Sequence, residues 1–445
     1  MFGYYLHLAL RSLRRNVVLT LLMIAAIAVG IGASMTTLTV FRAMSADPIP
    51  EKSDQLFTPQ IDNYGPAITN GPLKTYLTSD QLPLALTYTD AMALMQAHAA
   101  ERQAPMYGST IAVIPSSSAQ LPFQVQMLAT GTDFFPMFDV PFEYGAPWSA
   151  ADDEGRAPDV VLSRTLNDRL FGGSNSVGRQ VSLNGRAYSV TGVIRDWELT
   201  PRFYGLFSGI FGNPEQLYMP FNTAIAQQLT PSGDQCLSKT TATGKNALLH
   251  SECVWISFWA ELPTAEAASN YRAFLTRYAA EQRRIGRFNW PPRVALRNVR
   301  QWLAYIQIVS NDVHVLVLVS FAFLLVCLLN SVGLMLAKFM ARSSQVCIRR
   351  ALGADAGAIV SQCLVEAAVV GLVGGLVGIG LAVLGLTIAQ GLFAGPAAGS
   401  LRLTQLEAGD VVIALALAVG ATLLAGLYPT WRATRIAPAW QLKIQ

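Results

Sequence analysis

The residues best suited to a specific chemical interaction lie in a short basic stretch, Arg342–Ala354, between two long apolar runs. Its sequence is Arg-Ser-Ser-Gln-Val-Cys-Ile-Arg-Arg-Ala-Leu-Gly-Ala. A serine at its start can cap a short helix and Gly353 can end it. Such a helix would present apolar and basic side chains together, which favours a contact with another protein rather than a reactive centre. The alternative is a basic loop that only fixes membrane orientation. The predicted contact residues are Gln345, Val346, Ile348, Arg349, Arg350 and Leu352.

Catalytic spacings are missing from the sequence. The Gly244-Lys245 pair is followed by Asn246 and lacks the earlier glycine of a phosphate-binding loop. Ser208 lacks the first glycine of a nucleophile elbow. The four histidines, His7, His98, His250 and His314, form no i, i+4 metal pair. We therefore predict no catalytic residue, no metal site and no cofactor bound by this chain, which indicates that it is not an enzyme.

Glu366 is the one carboxylate that falls inside an apolar run. An ionisable residue within a membrane is a functional candidate by default. It lies only about two helical turns into its run, at 5.4 Å a turn. The simpler interpretation is therefore extension toward the lipid headgroups or an ion pair with Arg349 or Arg350. A proton relay normally needs more than one buried acid, so ion coupling is not predicted.

The composition indicates a membrane protein with a soluble part. Of the 445 residues, 52% are hydrophobic and 13% are charged, where a soluble protein has roughly a quarter charged. Four runs reach the approximate 20 apolar residues that span a bilayer. The net charge of +4 is modest and the large region between the first two runs is slightly acidic, which argues against a nucleic-acid partner.

Lysine and arginine positions predict the topology, because cytoplasmic segments next to spans are rich in them. The segments before the first run, between the second and third, and after the fourth are basic, so both termini are predicted to be cytoplasmic. The predicted segments are an amphipathic helix on the lipid surface (1–16), span 1 (17–42), an external domain (43–310), span 2 (311–338), a cytoplasmic loop (339–356), span 3 (357–394), a short external loop (395–409), span 4 (410–430) and a cytoplasmic tail (431–445).

Short strands and helices alternate in the external domain, which predicts an α+β fold with room for two βαβ-type lobes. Asn184-Gly185 separates two alternating strands within 180–194, the pattern of a hairpin. Ser163 is predicted to cap a helix ending at Gly172-Gly173, and Asp90 to cap one running to about Arg102. Further predictions are irregular chain over 47–85, strands over 123–128, 160–162, 254–262 and 293–299, a helix over 264–284, helical chain from about 300 into span 2, and an insertion or long loop over 199–253.

Cys236 and Cys253 both lie in the external domain, where disulfides can persist. We expect them to be bonded to each other, and two buried free thiols are the alternative. Cys327, Cys347 and Cys363 lie in or beside the spans on the cytoplasmic side and are expected to be reduced.

Span 3 is unusually rich in glycine. Gly371 and Gly375 are four residues apart, as are Gly374 and Gly378. This spacing lets a second helix approach closely. The alternative is the ordinary enrichment of glycine in membrane helices.

Six pieces in this order resemble the MacB/FtsX family of ABC-type permeases, and the resemblance covers nearly the whole chain. Two come first, 10–16 before span 1 and 160–163 leading to 170–173. A third, 177–193, contains Val177-Gly178-Arg179 and Asn184-Gly185. The other three are Ile348-Arg349-Arg350-Ala351-Leu352-Gly353-Ala354, Glu366 with 374–378, and Tyr428-Pro429-Thr430-Trp431-Arg432-Ala433-Thr434-Arg435 with Pro438.

The resemblance implies a bacterial inner-membrane protein of four transmembrane α-helices, with an α+β periplasmic domain inserted between spans 1 and 2. It implies a dimer with a second permease, identical or homologous, and cytoplasmic ABC ATPase subunits docked on the 339–356 loop. ATP and Mg would then be bound by the partner ATPase. Relatives that export drugs or peptides also use a periplasmic adaptor and an outer-membrane channel.

Two departures from the family pattern matter. Gln345-Val346-Cys347 stands where the family usually has Glu-Ile-Gly, which would suit pairing with a non-identical permease. The chain also begins at Met1 without the ATPase that relatives often carry, so a separate ATPase is expected. The resemblance favours a permease that relays motion for the export of a peptide, drug or similar substrate. The alternatives are a signal-relay subunit that activates a periplasmic or membrane partner, and a lipoprotein-release permease.

Overall fold

In this computed structural model the chain forms two compact units, a helical unit (1–45, 309–395 and 400–445) and a soluble unit (46–308 and 396–399). Helix α1 (Val17–Ser45) opens the helical unit. The structure describes Arg11 and residues 16–65, 81–115, 120–210, 212–236, 247–309, 311–340, 356–393 and 408–434.

Within the described ranges, one ten-stranded mixed sheet forms the centre of the soluble unit. Its strands are β1 (Leu56–Ile61), β2 (Arg102–Ile114), β3 (Phe123–Thr130), β4 (Phe142–Gly145), β5 (Asp159–Ser163), β6 (Gln180–Leu183), β7 (Arg186–Ile194), β8 (Leu217–Pro220), β9 (Ser257–Glu261) and β10 (Val294–Asn298). The spatial order is β10-β1-β9-β2-β3-β8-β5-β7-β4, and β6 pairs with both β2 and β7.

This sheet replaces the two lobes that the sequence suggested. The joining strand is β8, which pairs parallel with β3 through Met127↔Leu217 and antiparallel with β5 through Val161↔Tyr218. It falls in the stretch predicted to be an insertion or long loop, so that prediction was wrong for 217–220. The four-residue strand is too short to show an alternating pattern.

Helices cover both faces of the sheet. They are α2 (Tyr88–Ala97), α3 (Phe134–Met137), α4 (Ala150–Glu154), α5 (Arg164–Phe171), α6 (Phe221–Ala226), α7 (Ala265–Arg284) and α8 (Val299–Tyr305), with short 3-10 turns at Leu206–Ser208 and Ala247–His250. Side chains alternate between two hydrophobic cores: Val160 and Leu162 enter one, and Val161 enters the other. Strands buried on both faces become apolar throughout, and β5 has that character.

Local rules explain several of these elements. Ser163 caps α5 by accepting a hydrogen bond from the amide of Leu166, and Gly172 ends it at φ 65°. Asn184 and Gly185 both have positive φ, 49° and 80°, between β6 and β7. That combination is the turn preferred between two strands, because it follows their twist.

The predicted helix from Asp90 to about Arg102 was misplaced at both ends. Thr87 is the cap, accepting from the amide of Asp90, and the carboxylate of Asp90 in turn accepts from the Thr87 hydroxyl. The helix ends at Ala97, where His98 takes the left-handed conformation, and Arg102 begins β2. Helical chain was also expected from about residue 300 into span 2, but α8 ends at Tyr305 and Gln307 has a φ of 49°.

The helical unit also contains α9 (Asn311–Met340), α10 (Ala356–Phe393) and α11 (Ala408–Thr434). Helices α1, α9 and α10 are long and apolar enough to cross a membrane, and α11 contains a shorter apolar segment, Val411–Leu424. Each helix begins and ends within a few residues of the predicted span. The predicted surface helix (1–16, apart from Arg11 and Asn16) and the predicted short loop (395–409, apart from Ala408 and Gly409, which begin α11) lie outside the described residues.

Candidate functional site

The predicted contact residues Gln345, Val346, Ile348, Arg349, Arg350 and Leu352 lie outside the described part of the chain. The two helices that border these residues lie within the described part. Helix α9 ends at Met340 and α10 begins at Ala356, so any force on 341–355 must pass into these helices.

Two rows of glycine on α10 form a seam with two different helices. A Cβ at Gly374 would lie 2.9 Å from Ile27 Cγ2, and one at Gly378 would lie 2.9 Å from Ile31 Cβ, both on α1. At Gly371 and Gly375 the nearest atoms belong to Thr422 and Ala418 of α11. These distances are shorter than side-chain carbons adopt. The four glycines, Gly371, Gly374, Gly375 and Gly378, therefore let α10 approach α1 and α11 together.

Helix α1 contributes small residues of its own to the same packing. A Cβ at Gly30 would lie 2.9 Å from Leu324 Cδ1 of α9, and one at Gly32 would lie 2.9 Å from Leu381 Cβ of α10. The Ser34 hydroxyl donates to the Ser320 carbonyl of α9 at 3.0 Å. Helix α1 therefore packs tightly on α9 and α10 at once.

The four helices form a ring in the order α1, α10, α11, α9. Each of α9 and α10 packs extensively on α1 and on α11. Within the described ranges α9 and α10 make no extensive backbone contact with each other, although they border the same segment. They face each other across the ring.

One ion pair bridges that gap. Lys338 of α9 pairs with Glu366 of α10, and their side chains are 1% and 4% exposed. The Lys338 ammonium also donates to Thr20 Oγ1 of α1 at 3.3 Å. In the sequence, Glu366 stands out as an acid inside an apolar run, whereas Lys338 looks like one of the basic residues that set membrane orientation. The partners it proposed, Arg349 and Arg350, lie beyond the described residues.

Beside this pair the ring is closely packed. A Cβ at Gly426 of α11 would lie 3.1 Å from Ala367 Cβ and 3.5 Å from Met335 Sδ. Ala367 follows Glu366 directly, and Met335 lies one turn before Lys338. Three helices thus meet at the level of the charges, with apolar side chains around them.

In the soluble unit, a second set of charges ties the first residues to the last helix. Arg300 of α8 donates from Nε to Asp47 Oδ2 at 2.9 Å, and the Ser53 hydroxyl also donates to Asp47. Burial acts to raise the pKa of Asp47, but the hydrogen bonds from Ser53 and Arg300 lower it overall. The first residues of the soluble unit are therefore bonded to α8, which lies near the point where the chain leaves that unit.

The two external cysteines form a disulfide. Cys236 and Cys253 are joined, with Cα atoms 4.3 Å apart. Beside the bond, Gln235 and Val254 form an isolated antiparallel bridge. The bond closes a loop whose middle, 237–246, is outside the described residues.

Comparisons with known proteins place both units in families. Residues 20–248 match the MacB-like periplasmic core domain, and residues 317–438 match the FtsX-like permease C-terminal region. The macrolide export ATP-binding/permease protein MacB of Rhodospirillum rubrum is 26% identical over 449 residues, which cover 100% of this chain and 61% of that protein. The probable syringafactin export ATP-binding/permease protein SyfD of Pseudomonas syringae pv. tomato is 25% identical, over 66% of this chain and 38% of that protein.

Among solved structures, the periplasmic region of MacB from Actinobacillus actinomycetemcomitans aligns with 56% of this chain and 92% of that chain, at 15% identity and a TM-score of 0.35. That similarity is too low to support an argument. The family matches and the apolar helices together confirm the predicted fold class, a multi-pass membrane protein of transmembrane α-helices with an α+β periplasmic domain.

Proposed function

The chain belongs to the MacB/FtsX-like family of ABC-type permeases, and from that premise we propose that it relays ATP-driven motion from a separate cytoplasmic ATPase to its periplasmic domain. In this scheme the ATPase subunits bind at 341–355 and carry the ATP and Mg. The permease lies in the bacterial inner membrane with both termini in the cytoplasm, as its basic segments indicate.

The observation that supports the proposal best is the glycine seam between α10 and α1. Helix α10 follows 341–355 directly, and α1 leads directly into the soluble unit at Ala46. Close-packed interiors have low compressibility and transmit strain. A displacement at the start of α10 would therefore move α1, and with it the chain that enters the periplasmic domain.

The polar content of the helices agrees with a relay rather than a conduit. In the described parts of α1, α9, α10 and α11, the buried polar side chains are Thr20, Ser34, Thr39, Ser320, Ser331, Lys338, Glu366 and Thr422. Several of the hydroxyls bond to helix carbonyls, as Ser331 does to Cys327 and Thr422 to Ala418. Such scattered and mostly hydrogen-bonded groups do not line a water-filled path.

Export is the use of the relay that the relatives support best, because those named above are a macrolide exporter and a probable syringafactin exporter. We propose a peptide, drug or similar amphiphilic substrate taken from the periplasmic side. A second permease subunit completes the dimer, and a periplasmic adaptor with an outer-membrane channel would complete the route.

The test is reversal of both arginines in the proposed ATPase contact, Arg349→Glu with Arg350→Glu. The chain is reconstituted in lipid nanodiscs with an ABC ATPase of the same organism, and ATP hydrolysis is measured with and without the permease. We expect the permease to stimulate hydrolysis and the double variant to lose that stimulation by about tenfold or more, since coupling between sites is typically about 1–3 kcal/mol.

The matched control is Arg283→Glu with Arg284→Glu, the same doublet on an exposed face of α7. It should leave stimulation unchanged. Wild-type stimulation by the Arg349/Arg350 variant would refute the proposed contact. An ATPase that neither binds the unaltered chain nor responds to it would refute the proposed function itself.

A further inference from the structure

Lys338 is buried where a lysine would ordinarily reach water. It lies two residues before the end of α9, and Met340 at that end is 63% exposed. Lysines near the ends of membrane helices normally extend their ammonium to the interface, which avoids the cost of desolvation. Here the side chain is 1% exposed and turns into the ring of helices. Its position therefore requires a specific partner.

Glu366 is that partner, and it comes from α10, which stands opposite α9 in the ring. The pair spans the ring from α9 to α10, and Thr20 adds a bond from α1. Around it the packing is apolar, with Met335, Ala367 and Met23 in the same core. The charges thus form a direct link between the two helices that border segment 341–355.

Stability alone does not account for such a link. Removing two charges from water costs about as much as their attraction returns, so an apolar pair of similar volume is often equally stable or more so. What a buried pair adds is specificity, because it favours one arrangement in which the charges meet. A well-packed apolar pair would hold the helices together without selecting that arrangement.

We infer that Lys338 and Glu366 are positioning residues, an electrostatic link that makes α9 and α10 move as one body when segment 341–355 is displaced. The inference rests on the proposed relay for its biological meaning. Its geometry can be tested without any partner, so the two can fail separately. Without the link, the extensive backbone packing that holds α9 and α10 in the described ranges runs through α1 and α11, and a push on the segment could separate them.

The experiment measures the distance between α9 and α10 by electron spin resonance of two spin labels. They are attached at Met340→Cys and Ser361→Cys, both exposed positions, in the full chain in nanodiscs with Cys327, Cys347 and Cys363 replaced by alanine. The Cys236–Cys253 disulfide is kept oxidised and takes no label. Four further variants are compared with this background: K338E, E366K, the exchanged pair K338E/E366K and the apolar pair K338M/E366M.

We expect one narrow distance peak in the background protein and in the exchanged pair, where attraction between the two positions is restored. The single reversals and the apolar pair should lose that narrow peak, and the apolar pair should still show the thermal unfolding midpoint of the background protein. If the singles fail to fold, the two double variants carry the comparison. An exchanged pair with a broad distribution would overturn the inference, as would an apolar pair with a narrow one.

A second measurement joins the link to function. With the ATPase used above, stimulation of hydrolysis should fall about tenfold in the apolar pair and recover in the exchanged pair. Full stimulation by the apolar pair would show that side-chain volume at these two positions is enough and that the charges are not needed for coupling. Failure of the unaltered chain to stimulate the ATPase would count against the proposed function and leave the distance result to decide the link.

Discussion

At the scale of single residues, Lys338 and Glu366 are the charged side chains buried among the described helices of the helical unit. Glu366 was recognisable because an acid inside an apolar run is rare. Lys338 stands at the end of the preceding run and looks like any topology-setting charge. Their sequence separation is 28 residues, and the packing of four helices brings them together. Only the tertiary arrangement shows that the two charges form an ion pair.

The glycines illustrate the same limit. Spacing by four identified the two rows, but not that one faces α1 and the other α11. Gly380 falls in the same cluster of sequence, yet a Cβ there would meet nothing within 4 Å. Glycine enrichment therefore marks a close approach at four positions and ordinary composition at the fifth.

This contrast gives a paired prediction. Gly378→Ala would place Cβ 2.9 Å from Ile31 Cβ and 3.0 Å from the Ala28 carbonyl, where no side-chain end can move aside. We expect it to lower the free energy of unfolding by about 1–3 kcal/mol, the usual cost of overpacking. Gly380→Ala should be neutral or raise it by up to about 1 kcal/mol, through lower backbone entropy in the unfolded chain. Thermal unfolding in nanodiscs, followed by circular dichroism, measures both. Equal effects of the two substitutions would contradict the seam.

At the scale of elements, the sequence predicted those whose signals are local. The β6–β7 hairpin, the Ser163 cap and helix α7 with its Thr264 cap depend on residues within a few positions of each other. The same reasoning missed β1 and β2. Each contains a proline, Pro59 and Pro105, which usually argues against a strand. Both are tolerated where the strand is paired on one side only, as Pro59 is with Leu296 and Pro105 with Phe258.

Helix α6 has an unusual N-terminus, which makes its stability depend on pH. Its cap position is Pro220, which has no side-chain acceptor. Asp153 of α4 serves instead, accepting from the amide of Asn222 at 3.0 Å. Burial raises the pKa of Asp153 to about 6 from 3.8, and the hydrogen bond from Asn222 opposes this only partly. The folded state therefore binds a proton more tightly than the unfolded state does.

The direction of this pH dependence follows from the linkage between proton binding and folding. With the folded pKa above the unfolded one, the contribution of Asp153 is most favourable below pH 3.8 and is lost as the pH rises through about 6. We expect Asp153→Asn to remove this dependence, so that its stability relative to wild type rises by about 2 kcal/mol between about pH 4 and about pH 7. Unfolding by urea at the two pH values measures the difference.

Asp152 is the matched control because its shift is opposite. Its pKa is lowered by hydrogen bonds from the Ser149 side chain and amide. Asp152→Asn should therefore destabilise the protein at neutral pH, and that effect should vanish as the pH falls through the lowered pKa. The same slope for both variants would show that neither carboxylate acts as described.

The disulfide gives a further prediction for the segment around it. Cys236 and Cys253 are 17 residues apart. Closing a loop of about 15 residues restricts the unfolded chain by about 3 kcal/mol in the chain-entropy account. Cys236→Ser with Cys253→Ser should lower the free energy of unfolding by that order. Reductant should destabilise the wild type similarly and leave the double variant unaffected, as thermal unfolding monitored by tryptophan fluorescence would detect. A shift of the double variant on reduction would mean that other bonds are involved.

At the scale of the whole molecule, hydropathy and charge predicted the division into a membrane unit and a large inserted domain. An apolar run of about 20 residues or more is rare outside membrane-spanning helices, so this division could be predicted from composition along the chain. The arrangement of the four helices was not predictable, because helices that are neighbours in sequence need not be neighbours in the ring. Helices α9 and α10 follow one another among the described helices yet stand opposite each other in the ring.

The position of α1 in that ring has a consequence for how the protein is made. Helix α1 is synthesised before α9 and α10, and these two helices cover its small-residue surface at Gly30 and Gly32. Between Ser45 and Asn311 the ribosome must produce residues 46–308 of the soluble unit. At about 5–20 residues per second this takes roughly ten seconds to a minute. Throughout that interval α9 and α10 have not been made, so the small-residue surface of α1 faces lipid or other proteins until these helices arrive.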